Sequence, residues 1–276
     1  MAQSNLAMRR DSEGDAFPSL LKNWRKKRRI SQLALALASG VSQRHVSFLE
    51  SGRANPSRRM ILQLSEALEV PLRDRNDWLT AAGFAAIYKT RPLEHPQMSQ
   101  VMRAVEMMLG NHAPFPAVAV DRAWNIRLSN TAFDLLISMM GADVWKLIGG
   151  QEHNLMRLFF HPKGIKPFIT NWTTVAPLLW SRAEREAEAL GGQEMKQVLS
   201  ELSPFQDRDV LWAAEDAALV PVLPLEITKD GISISVFTVI STFGTAQDVT
   251  ADELRIESMF PADDATEQLF RNAAAH

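Results

Sequence analysis

In the first third of the chain, apolar residues recur every three or four positions in five short bursts, each closed by glycine, proline or a polar cluster. That period predicts five helices. Leu20, Leu21, Trp24 and Arg28 mark the first, over Phe17 to Ile30, with a basic outer face. Leu33, Leu35, Ala36 and Leu37 mark the second, for which Ser31 is the N-cap candidate, and it stops at Ser39-Gly40. Glycine there can take the positive φ of a sharp helix-to-helix reversal, and Val41 can then point back between the two helices. Ser42 is the next cap. Val46 and Leu49 turn inward from the third helix, leaving Gln43, Arg44, His45 and Ser47 on its outer face. Met60, Ile61, Leu64 and Leu68 predict a fourth helix from Ser57, and Trp78, Leu79 and Ala82 a fifth that ends at Gly83-Phe84.

Past a linker marked by Pro92 and Pro96 the period changes. Met98 to Leu109 is one amphipathic helix. Pro116 to Asn130 reads as a short strand, an Asp121-Arg122 turn and a second strand through Ile126 and Leu128, after which Ser129 and Asn130 can start a helix carrying Phe133, Leu135, Leu136 and Ile137. Glu152 to Trp180 predicts a helix, a Pro/Gly break and another helix. A separate polar helix is expected over Ser181 to Leu190, with Gly191-Gly192 ahead of a helical pair ending near Asp216. The last section is mostly strand: Leu225 to Thr228 and Ile232 to Ile240 flank the hairpin turn Lys229-Asp230-Gly231, and Glu253 to Phe260 forms one more. Two early and three late strands make a five-stranded antiparallel sheet with the helices on one side. The expected fold class is an all-α helix-turn-helix domain of five helices followed by an α+β, PAS-like domain.

A length of 276 residues favours two domains. The expected boundaries are a disordered arm over 1–15, the helix-turn-helix domain over 16–86, a linker over 87–97 and a second domain over 98–270. Net charge is −2, which looks wrong for a nucleic-acid binder, but residues 1–91 hold 16 Lys and Arg against 8 Asp and Glu, and the remainder 14 against 24. A basic module gathers duplex phosphates and an acidic one stays off them. The absence of cysteine removes disulfides, thiolate metal sites and thiol nucleophiles. No apolar run is long enough for a bilayer and MAQSNLAMRRDSEGD lacks an apolar signal core, so a cytoplasmic protein without membrane contact is expected.

The outer face of the third helix carries the chemistry. Gln and Arg side chains suit adenine and guanine edges in the major groove, and Ser serves a base or a phosphate. Five consecutive cations, Arg25 to Arg29, precede the helix pair, and Gly52-Arg53-Ala54-Asn55-Pro56-Ser57 follows it. The stretch SQLALALASGVSQRHVSFLESGRANPS, Ser31 to Ser57, resembles the phage-repressor-like (Cro/XRE) helix-turn-helix family. That resemblance implies phosphate contact by Gln32, base contact by Gln43, Arg44 and Ser47, and an internal ion pair between Arg25 and Glu50. With Ser42, His45, Arg53 and Asn55 added, these are the candidate DNA contacts. Phe48 departs from the family's usual polar residue and either meets a thymine methyl or packs.

Arg73 to Phe84, RDRNDWLTAAGF, resembles the junction of repressor-like regulators that carry an MmyB-type ligand-binding domain. Asn154 to Gly164, NLMRLFFHPKG, with ITNW at Ile169 to Trp172 and DVTADELRIESMFPAD at Asp248 to Asp263, resembles that domain itself. The implied role is a transcription regulator, not an enzyme, with a small-molecule effector, a fatty acid being the one expected. Trp124, Phe133, Phe160, Trp172 and Phe237 are the candidate apolar lining, and Arg157, His161 and Asn171 the candidate head-group ligands. Each polar one has a structural alternative: Arg157 pairing with an acid, His161 capping the turn before Pro162, Asn171 holding backbone. No cofactor or metal site is expected, since no phosphate loop, nucleophile elbow or paired histidine spacing occurs. The expected partners are a duplex operator, the effector and a second copy of the chain. The rival expectation makes the second domain a ligand-free dimerisation or protein-docking module.

Overall fold

Serine hydroxyls start three of the first five helices in the computed structural model, which describes residues 16–274 apart from 142, 151, 190–192 and 208–220. The helices are α1 (Phe17–Lys27), α2 (Gln32–Ser39), α3 (Gln43–Glu50), α4 (Arg58–Ala67) and α5 (Leu72–Ala81). Ser31, Ser42 and Ser57 accept hydrogen bonds from the backbone N–H groups of Ala34, His45 and Met60, satisfying donors that a helix start leaves orphaned. Gly40 ends α2 at φ 70°, and the Val41 N–H bonds the Ala36 carbonyl at 3.1 Å, a reversal that a Cβ would strain. Leu21, Leu35, Val46, Leu49, Ile61 and Leu64 are fully buried between the five helices.

The described residues cluster into two units, the first running to Thr90 with Gln247–Val249 added, and the second from Arg91 to Ala246 and from Thr250 onward. Tyr88, expected in a linker, is strapped to the first unit: the Asn76 side chain accepts from the N–H groups of Ile87 (3.0 Å) and Tyr88 (3.1 Å) and donates to the Tyr88 carbonyl (2.7 Å). The expected arm over 1–15 lies outside the described residues.

The second unit opens with α6 (Ser99–Asn111) and is built on a five-stranded antiparallel sheet of β1 (Ala117–Val120), β2 (Ile126–Ser129), β3 (Leu225–Lys229), β4 (Ile232–Thr242) and β5 (Arg255–Pro261). The order is β2-β1-β5-β4-β3, so the first and last segments of the domain lie side by side at the centre, as a PAS-like topology requires. Between β2 and β3 come α7 (Thr131–Met140), α8 (Val144–Ile148), α9 (Leu155–Phe160), α10 (Trp172–Ala189) and α11 (Gln193–Leu202). A short helix, α12 (Val249–Glu253), precedes β5, and α13 (Asp264–Ala273) follows it. Asp230 and Gly231 close the β3–β4 hairpin at φ 50° and 81°, the mirror-image turn that suits the twist of paired strands.

Two buried asparagines pin the loops. Asn130 Oδ1 accepts from Ala117 and Phe133 N–H (3.0 Å each) while its amide donates to the Leu109 and Phe115 carbonyls. Asn154 starts α9 and donates to the Ala123 carbonyl at 2.7 Å.

The helix layers differ from the sequence expectation in three places. Helices lie on both sides of the sheet, because β1 is central and buried on both faces: Val118 and Val120 pack into the main helical core, whereas Ala117 and Ala119 face Val105 and Leu109 of α6. Small alanines let that helix approach closely. The stretch from Trp172 to Ala189 is one helix rather than two, with Pro177 inside it. Nothing between Trp180 and Ser181 breaks the pattern, and long straight-chain residues carry the helix onward. The final strand begins at Arg255 rather than Glu253, since Val249–Glu253 is helical. Of the helical pair expected after Gly191-Gly192, α11 is present and the second lies outside the described residues.

Candidate DNA interface and ligand-binding core

An internal clamp fixes α3 against the helices before it. Arg25 donates through Nε to Glu50 Oε1 (2.5 Å) and through a terminal nitrogen to Oε2 (2.9 Å), and Gln32 Nε2 donates to the same Oε2 at 2.9 Å. Burial alone would raise the Glu50 carboxyl, but the bonds from Arg25 and Gln32 and the Arg25 charge outweigh it and hold the group below the usual carboxylate range. The expected Arg25–Glu50 pair is therefore present, and Gln32 reaches its place through that pair. Arg28 stays exposed while its guanidinium donates to the Leu68 and Glu69 carbonyls at 2.8 Å each. Two of the five consecutive cations are thus structural staples.

On the outer face of α3, Gln43 and Arg44 are exposed and Ser47 half-buried, while Ser42 is exposed with its hydroxyl engaged as the cap. The Arg44 guanidinium sits 5.2 Å from the Phe48 ring centroid, so Phe48 packs along the arginine one turn earlier. His45 leaves the expected outer face: it is half-buried with Nε2 3.0 Å from Met60 Sδ, because the helical turn aims it at α4. Arg53 and Asn55 are exposed in the following loop, where Gly52 has φ 70° and the Arg53 N–H bonds the Phe48 carbonyl at 2.8 Å. Arg58 and Arg59 at the start of α4 are exposed cations that the sequence reading passed over; their signal was two arginines directly after a cap serine.

In the second unit the polar candidates are engaged by other parts of the fold. Arg157 forms an ion pair with Glu201. Asn171 donates to the Pro224 carbonyl (2.8 Å) and accepts from Glu226 N–H (3.1 Å), tying the start of α10 to β3. His161 Nδ1 accepts from Lys163 N–H at 3.1 Å, and its ring lies 5.0 Å from that of Phe205. Burial pushes the His161 imidazole below its ordinary value, and the nearby Lys163 and Arg157 charges add to that. Both effects work against a positive charge on this ring.

The aromatic candidates are distributed likewise. Phe160 is buried with its ring centroid 5.0 Å from Trp172 and 5.1 Å from Trp180, and Phe133 lies in the same core. Trp172 Nε1 donates to Asp207 at 2.5 Å. Trp124 is buried at φ 66°, and its Nε1 donates to Glu186 at 2.7 Å beneath the Arg182 guanidinium. Arg182 also bonds Glu186 (2.9 Å) and Glu257 (2.7 Å). Burial would raise Glu186, but the Arg255 and Arg182 charges outweigh it and hold the carboxyl below its usual range. Phe237 is not brought to this core. It stacks on its cross-strand neighbour Phe260, centroids 5.7 Å apart, on the opposite face of the sheet from Val236.

A cavity of about 200 Å³ opens between the C-terminal end of α7 and the β3–β4 hairpin, lined by Met139, Met140, Ile227, Lys229, Asp230, Ile232 and Ile234. None of the eight ligand candidates lines it. In the sequence Lys229 stands in the hairpin-turn signal, which marks no ligand contact.

Five helices with an exposed Gln43-Arg44 pair at the start of α3, followed by an α+β sheet domain, define a helix-turn-helix regulator with a sensor. A helix-turn-helix family model matches residues 21–74. The model of the MmyB-like transcription regulator ligand binding domain matches residues 101–273, and the chain belongs to that family. No curated protein matches the chain. Among solved structures it is similar to an RNA-binding light-oxygen-voltage receptor, at 11% identity over 100% of this chain and 68% of the other, with a TM-score of 0.26. Among the described residues no helix is long and apolar enough to cross a membrane.

Proposed function

We propose that this regulator binds a duplex operator as a homodimer and that a fatty acid held in the C-terminal unit changes the operator affinity. Gln43, Arg44 and Ser47 read base edges, while Gln32, Arg53, Asn55 and the cations Arg58 and Arg59 hold phosphates. One such module binds weakly, so two copies on half-sites about one helical turn apart supply the affinity. The ligand acts by binding one arrangement of the two reading heads better than another, and its effect is limited to that difference.

The observation that carries this reading is the pairing, in one chain, of an exposed Gln43-Arg44 face with a ligand-binding family match over residues 101–273. The test is organic extraction of the purified protein followed by mass spectrometry: a stoichiometric acyl acid supports the reading. A ligand-free dimerisation or docking module is the second reading, favoured by the intramolecular partners of Arg157 and Asn171. A protein that leaves extraction with no acyl compound, and takes none up when offered, favours that one.

A further inference from the structure

The cavity between α7 and the β3–β4 hairpin combines apolar walls with a single cation. Met139, Met140, Ile227, Ile232 and Ile234 supply the walls, and Lys229 stands among them. The ammonium is fixed in place, donating to the Met139 carbonyl at 2.8 Å and lying 5.3 Å from the Phe168 ring centroid. It has three N–H donors, of which that carbonyl takes one. Its acidic neighbour is Asp230, at 3.5 Å with the side chain 84% exposed, where water screens the attraction.

We infer that this cavity is a subsite for a short, apolar monocarboxylic acid, with Lys229 holding the carboxylate and the isoleucines and methionines the chain. The inference rests on the acyl-acid reading above and narrows it to one place and one size class. About 200 Å³ falls below the roughly 300–1,000 Å³ of drug-sized ligand sites, which favours a short chain. Octanoate matches that size better than a sixteen-carbon acid. Methionine walls adapt to the cross-section of the chain.

The experiment is calorimetric titration of the extracted full-length protein with octanoate, octan-1-ol and hexadecanoate. Octanoate is expected to bind once per chain and more tightly than octanol by about ten- to a hundredfold, the range of a charge-assisted hydrogen bond. Lys229→Met keeps the apolar stem and should bring octanoate down to octanol. Asp230→Asn preserves the turn and should tighten octanoate by removing the competing carboxylate. Octanoate binding that ignores both substitutions overturns the subsite. Hexadecanoate binding with octanoate failing also overturns it while leaving the acyl-acid reading in place. If neither acid binds the unsubstituted protein, both fall together.

Discussion

Polar side chains in the two halves of this regulator have opposite fates. In the helix-turn-helix unit, Gln43, Arg44, Arg53 and Asn55 stay exposed because the clamp of Arg25, Gln32 and Glu50 behind α3 does the structural work. In the sensor, Arg157, Asn171 and Trp172 are taken up by Glu201, by the backbone of Pro224 and Glu226, and by Asp207. A surface that reads a macromolecule needs its donors presented to solvent, whereas a domain that encloses a small ligand must first satisfy every polar group it buries. In the first case the ties of Gln32, Ser42 and His45 leave Gln43 and Arg44 presented to solvent; in the second the polar candidates are themselves the ties.

The largest effect that sharpens this contrast belongs to the sensor core. Phe160→Ala should cost about 3–5 kcal/mol of stability, since the ring is enclosed by two tryptophans; a thermal melt reads it, and a loss below 1 kcal/mol would mean the core is loosely packed. Next comes Arg25→Ala, which leaves the Glu50 charge with only the Gln32 amide and should cost about 3 kcal/mol in urea unfolding. Arg44→Ala, on the exposed face, should stay within about 0.5 kcal/mol in the same assay. The Glu50 carboxyl is lowered in the folded protein, so its contribution is complete above an unfolded value of about 4.3 and is lost as pH falls through the lower folded value. Glu50→Gln should flatten that acid limb.

On DNA the ranking reverses. Arg44→Ala should weaken cognate binding by about 1–3 kcal/mol and relax one base position, whereas Arg53→Ala should weaken all sequences alike and lower the salt slope by about 1. Identical behaviour of the two would undo the division into base and phosphate contacts. A small effect is also expected of Arg157→Ala: its pair with Glu201 is partly exposed and should contribute about 0.2–1 kcal/mol to stability. A loss of acyl-acid binding in that variant would break the contrast, because it would make Arg157 a ligand after all.

The helix-turn-helix was legible because its signals are local: Ser31, Ser42 and Ser57 bond within their own helix starts, and Gly40 needs only its own φ. The sheet was legible for the same reason, through the alternation around β1 and β2 and the Asp230-Gly231 turn. What could not be read depends on partners far along the chain. An acid for Arg157 and backbone for Asn171 were among the sequence alternatives, but the particular partners, Glu201 and Glu226, like Leu68 for Arg28, are marked by no spacing rule. The placement of α6 on the second face of the sheet followed from β1 becoming central, which required knowing that β5 would pair with it. Lys229 was hidden by its position in a turn signal.

The central claim is that filling the sensor changes how the reading head holds DNA. The most direct test measures binding of extracted protein to a duplex selected from a random-sequence pool, by fluorescence anisotropy, without ligand and with saturating octanoate. A shift in operator affinity of about 5- to 150-fold is expected for a coupled pair of sites. Superimposable isotherms with the acid demonstrably bound would contradict the account.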